Sequence, residues 1–299
     1  MKKAFIQLHI AVLLAGFTAI LGKLIDLNEA WLVWWRLLLS ILCLWAIVFF
    51  RKEIVKISLK DTFKLLGVGG IIAMHWVFFY GSIKYSNVSV GVTCLSAIGF
   101  FTSILEPLIR RRRIDLIEVL LGLLAILGIY LIFDFYPDFK LGIIFGIISA
   151  LLASLFPIFN KTIINRFSSN IVTTYELTGG FLVLSCLIPI YLTFFPATYF
   201  IPTTSDLFWL IILAVFCTVF AFILSLHSLK HLSAFTTNLS YNFEPIYSII
   251  MAFIIFKENK FLGSGFYYGF FLILLAVSFQ MIRVYRDRSK EKKLALRKM

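Results

Sequence analysis

The chain has 299 residues, 61% hydrophobic and 14% charged, with a mean hydropathy of +0.97 and a formal net charge of +13. A soluble domain is about a quarter charged, and a single core of this composition would leave too much apolar surface in water, so a water-soluble globular domain is excluded. The basic excess is not a nucleic-acid face, because the lysines and arginines fall in short breaks between apolar runs and in the tail at 283–298.

In chain order, apolar runs fall near 4–22, 31–50, 63–83, 88–109, 116–133, 141–159, 171–195, 206–228, 232–256 and 262–282. A spanning helix needs roughly 20 apolar residues, and these runs are too long and too little alternating for barrel strands. The expected fold class is an all-α integral membrane protein with ten transmembrane helices. Span one has two lysines, an apolar stretch and small residues, as a signal peptide does, but its match to the internal span six argues against cleavage. Span two carries Arg36 about five residues in, and span three carries His75, Trp76, Phe79 and Tyr80. Ser89, Thr93 and Ser96 give span four a small polar face. Gly142 and Gly146 in span six, and Gly265 and Gly269 in span ten, form close-packing steps; they serve equally within one chain or between two, so monomer and homodimer are both open. Glu176 stands in span seven. His227 and His231 have the i, i+4 spacing of a metal pair but no evident third ligand. Cys43, Cys94, Cys186 and Cys217 lie inside apolar runs, without disulfide or zinc spacing. No metal or other cofactor is expected.

With both termini cytoplasmic, 22 of the Lys and Arg residues lie inside and 5 outside, Arg36 being within a span; the positive-inside rule favours that orientation. The two halves also resemble each other. Leu13, Leu14, Ala15, Ile20 and Lys23 precede Leu151, Leu152, Ala153, Ile158 and Lys161 by 138 residues, and Ser82 and Lys84 precede Ser228 and Lys230 by 146. Five spans per copy is an odd number, so the second copy enters the membrane from the opposite side. The expected units are a first five-helix repeat at 1–137, an inverted second at 138–284, and a basic cytoplasmic tail at 285–299. Inverted repeats mark secondary transporters, with the substrate site near the midplane between the copies.

Asn242-Phe243-Glu244-Pro245 in span nine, followed by an apolar run to Phe256 and then Lys257-Glu258, resembles the EamA-type branch of the drug/metabolite transporter superfamily. Ten spans in two five-helix repeats with short loops resemble it too. The resemblance covers nearly the whole chain and implies transport of a small metabolite, often export of amino acids or related compounds, across a bacterial inner membrane. Repeat one departs from the pattern: Ile98 and Gly99 stand where Glu244 and Pro245 stand in repeat two. The Glu106-Pro107 step comes about two turns later, beside Arg110.

An ionisable group in hydrocarbon is a functional-site hypothesis by default. Glu244 and His75 are the deepest such groups by position. Pro245 leaves the Tyr241 carbonyl without its helix partner, and Asn238 and Asn242 share the neighbouring face. The expected substrate site therefore takes His75, Trp76, Phe79 and Tyr80 from span three, and Asn238, Tyr241, Asn242 and Glu244 from span nine. Arg36 and Glu176, 140 residues apart, sit at opposite depths as gating or vestibule charges, Arg36 for an anionic group and Glu176 for a cationic one. Glu244, His75 or Glu176 could carry a coupled proton. Besides a small-molecule substrate, the expected partner is membrane lipid. A polytopic membrane enzyme is the alternative, but the chain has no metal motif, nucleophile–base arrangement or phosphate-binding glycine loop. A non-transporting scaffold would need no two-sided symmetry.

Overall fold

The protein is described by a computed structural model over residues 2–53, 55–111, 113–160, 163, 166–229 and 243–297. The described residues form helices joined by short turns. They are α1 (Lys2–Leu24), α2 (Glu29–Phe50), α3 (Leu59–Lys84), α4 (Val88–Cys94), α5 (Ile98–Arg110), α6 (Leu116–Phe135), α7 (Lys140–Asn160) and α8 (Ser169–Phe194). Then come α9 (Thr204–Ala214), α10 (Ala221–Leu229), α11 (Glu244–Ile255) and α12 (Ser264–Arg297). A 3₁₀ turn joins α4 to α5, and a π-helical segment, Val215–Phe220, joins α9 to α10. Among the described residues, 8 helical stretches are long and apolar enough to cross a membrane, and Leu116–Ile132 and Glu244–Ile255 are shorter apolar helices. Large apolar side chains such as Phe50, Leu59, Phe63 and Leu116 stand exposed on the outside, as a lipid solvent allows. The chain is a multi-pass membrane protein. The residues from 285 continue α12 as helix up to Arg297.

Helix starts are set by side chains that take up orphan amide hydrogens, which hydrocarbon cannot satisfy. Asn28, Ser58, Asn87, Ser168 and Thr203 each accept a first-turn N–H, opening α2, α3, α4, α8 and α9. Close packing is carried by glycine. Where α3 crosses α8, a Cβ on Gly69 would lie 1.8 Å from the Glu176 carbonyl oxygen. Gly142 faces Ser82 and Ser86, and Gly146 faces Cys94, so this step packs α7 within the chain.

Several contacts come in exchanged pairs. A Cβ on Gly128 of α6 would lie 2.6 Å from the Gly269 carbonyl oxygen, and one on Gly269 of α12 would lie 2.4 Å from that of Gly128. Ile273 flanks the first and Ile132 the second. Asp61 follows Ser58 at the start of α3 as Asp206 follows Thr203 at the start of α9, 145 positions later. Asp61 accepts from Arg166, in the loop before α8, at 2.7 Å. Asp206 accepts from the backbone N–H of Asp26, in the loop before α2, at 2.8 Å. Each aspartate thus ties the start of a helix to the corresponding loop of the other half. The turns after α5 and α11 match as well: Arg111 (φ 54) and Lys257 (φ 55), 146 positions apart, both adopt the left-handed conformation.

Candidate functional site

Arg36 is 3% exposed and held from three sides. Its Nε donates to the Thr218 hydroxyl at 3.0 Å, a terminal nitrogen donates to the Tyr80 hydroxyl at 2.7 Å, and its guanidinium lies 3.7 Å from the centre of the Trp76 ring. Tyr80 is fully buried, with its ring where a side chain on Gly22 would be; a Cβ there would lie 2.3 Å from the ring. Thr218 reaches Arg36 because the π-helical turn widens the chain there. Its hydroxyl donates to the Leu213 carbonyl, five residues back, at 2.9 Å. One turn along α2, Ser40 donates to the Ala214 carbonyl at 3.5 Å. A planar fork can hydrogen-bond in its plane while stacking on its face, which an ammonium cannot do.

The residues expected on span three divide. Trp76 and Tyr80 hold Arg36. The His75 Nδ1 lies 3.0 Å from the Ser149 carbonyl oxygen of α7, the Ser149 hydroxyl is 3.0 Å from the His75 carbonyl, and the imidazole stacks on Phe79. These contacts fit a histidine with its hydrogen on Nδ1, joined to α7.

Glu244 opens α11 and lines a cavity of about 550 Å³ with Pro245, within the size range of small-molecule sites. The other walls are α5, α6 and α12, with Ser96, Thr102, Glu106, Glu118 and Gln280 among the polar groups. None of His75, Trp76, Phe79 or Tyr80 lines it. Among the described contacts no hydrogen bond or ion pair joins Glu244 to Arg36. Asn238, Tyr241 and Asn242 lie outside the described residues, as does His231, the partner expected for His227. Glu176 is 5% exposed and pairs with Asn160 at the end of α7, one carboxyl oxygen having no protein partner among the described residues. No described contact joins it to Arg36.

Sequence reasoning passed over Thr218, Ser40, Ser149 and the two capping aspartates. Only the aspartates left a readable signal, a hydroxyl residue three positions before an aspartate, repeated 145 positions on. Glu258 also has a definite place. It is 3% exposed and accepts from the Val88 and Ser89 amides, the Ser89 hydroxyl, and Lys23 at 2.9 Å. The turn after α11 is thereby fastened to the start of α4 and the end of α1.

No curated protein matches the sequence. A crystal structure described only as that of a protein superposes with a TM-score of 0.61 at 14% identity, covering 93% of this chain and 96% of that one; at that identity the likeness shows the fold alone. The profile of the EamA-like transporter family matches twice, over residues 2–134 and 140–282, so that two successive copies account for nearly the whole sequence. The chain belongs to the EamA-like transporter family.

Proposed function

We propose that this protein is a secondary transporter that exports a small metabolite, an amino acid or related compound, across a bacterial inner membrane by alternating access between two inverted five-helix repeats. The observation that carries the reading is the exchange of equivalent contacts between the halves, Asp61 with Arg166 and Asp206 with Asp26. Two similar locks, each joining the halves, suit a molecule that opens first at one face and then at the other. Arg36 supplies a fixed cation for a substrate carboxylate, and Glu244, at the cavity wall, a carboxylate for an amino group or a coupled proton. In this reading both termini and the 110–115 segment are cytoplasmic.

The test is a comparison of metabolites inside and outside cells with and without the protein, followed by Glu244→Gln. The glutamine keeps shape and most hydrogen bonding but removes the charge. It is expected to reach the membrane in parental amounts and to lose most of the protein-dependent flux, while Phe243→Leu, exposed and adjacent, retains it. Parental flux in the glutamine variant would remove Glu244 from the mechanism, and the lack of any protein-dependent metabolite would remove export.

Two-sided access has its own test. In a chain lacking its four cysteines, a bifunctional thiol reagent bridging Asp26→Cys to Ser205→Cys should stop flux. The same reagent bridging Lys60→Cys to Phe167→Cys, beside the Asp61–Arg166 pair, should also stop it. Singly modified chains should remain active. Transport that continues with either bridge closed contradicts alternating access.

A further inference from the structure

We propose that the surface formed by the α5–α6 loop and the emerging part of α12 binds the headgroup of an anionic phospholipid. Arg283 of α12 pairs with Asp115 of the loop, which brings the exit of α12 level with the arginines that end α5. The Arg283 guanidinium holds the Asp115 carboxyl below the usual carboxylate range. The segment 110–113 is four consecutive arginines, and among the described residues Arg110, Arg111, Arg113, Arg283 and Arg286 stand with three acids, Glu106, Asp115 and Glu118. Glu106 pairs with Arg110 at 3.4 Å, while Arg111, Arg113 and Arg286 stand exposed.

The helix extends the charge. Arg283 and Arg286 are three residues apart and so share one face of α12. Beside these bases in sequence, Leu116, Ile117 and Leu120 at the start of α6, and Phe279 and Ile282 of α12 just before Arg283, are exposed. Bases beside exposed apolar side chains fit a phosphate joined to acyl chains better than a free anion, and basic clusters where a spanning helix leaves the membrane attract anionic lipid. The proposal does not depend on what the protein transports or on which leaflet α12 leaves.

The test uses the purified full chain in mild detergent, titrated with phosphatidylglycerol or with phosphatidylcholine of the same acyl chains, and bound lipid is counted by native mass spectrometry. Phosphatidylglycerol should be retained preferentially. Combining Arg111→Gln, Arg113→Gln and Arg286→Gln should weaken it about tenfold or more and leave phosphatidylcholine unchanged. If that combination fails to fold, Arg286→Gln alone should still weaken phosphatidylglycerol severalfold. Lys257→Gln with Lys260→Gln, in the turn after α11, should keep the preference and so control for net charge. The proposal is overturned if the parent chain retains both lipids equally, if the substituted arginines leave the preference intact, or if glycerol phosphate competes as well as the intact lipid.

Discussion

Arg36→Gln is expected to abolish protein-dependent transport, and Arg36→Lys to restore only a small fraction of it. The guanidinium donates to Thr218 and Tyr80 and stacks on Trp76 at the same time. Each hydrogen bond to a charged group contributes about 1.5–3 kcal/mol, so losing two corresponds to about a hundredfold or more if the loss falls on the transport step. Lysine keeps the charge but lacks the planar fork, so it can stack or bond but not do both. The measurement is initial flux of the metabolite identified by the export comparison, normalised to protein in the membrane. Trp76→Leu, which removes only the stacked face, should fall between the parent and the glutamine variant. A glutamine variant that transports at the parental rate, or whose flux falls only in step with its abundance, would make Arg36 a packing element.

Gly69→Ala is expected to cost more stability than any other single methyl group added to α3. The new Cβ would meet the Glu176 backbone oxygen at 1.8 Å, and a backbone atom within a helix cannot swing aside as a side chain can. The two helices would have to separate by roughly 1 Å or more, and overpacking of this kind costs about 1–3 kcal/mol and sometimes more. Gly67→Ala is the matched control on the same helix, since its Cβ would meet nothing within 4 Å. It should be neutral or slightly stabilising, because alanine favours helix over glycine by roughly 1 kcal/mol. Thermal unfolding in detergent compares the two directly. Equal melting temperatures would mean that α3 and α8 do not cross this closely.

The helical, multi-pass character was legible because hydrocarbon demands long apolar runs, and a run such as 141–159 has no soluble reading. The site was legible only in part. Position along span two says how deep Arg36 lies but not what surrounds it, since its partner Thr218 is 182 residues away. His75 is placed by its depth near the middle of a span, yet its hydrogen bonds go to Ser149 on a helix that adjacency in sequence does not reveal. Glu258 was visible as an acid past a helix end, but its partners Val88, Ser89 and Lys23 belong to the other half of the chain. Periodicity reports local geometry, and these contacts are non-local.

The π-helical turn Val215–Phe220 bears on how the two halves came to differ. Helix α3 and its counterpart match at a separation of 145 positions where they begin, Ser58 with Thr203, and 146 where Ser82 answers Ser228. The second copy is therefore one residue longer between those points, and the only non-α segment between them is this turn. An insertion inside a helix pinned at both ends cannot pass into a loop. It stays as a bulge or turns everything downstream by about 100°. Here the extra residue coincides with the π-helical bulge, and Thr218 within it accepts from the buried arginine of the other half. Two copies of one unit thus differ in length by a single residue within a helix, and the bulge at that place carries a hydroxyl to the buried arginine.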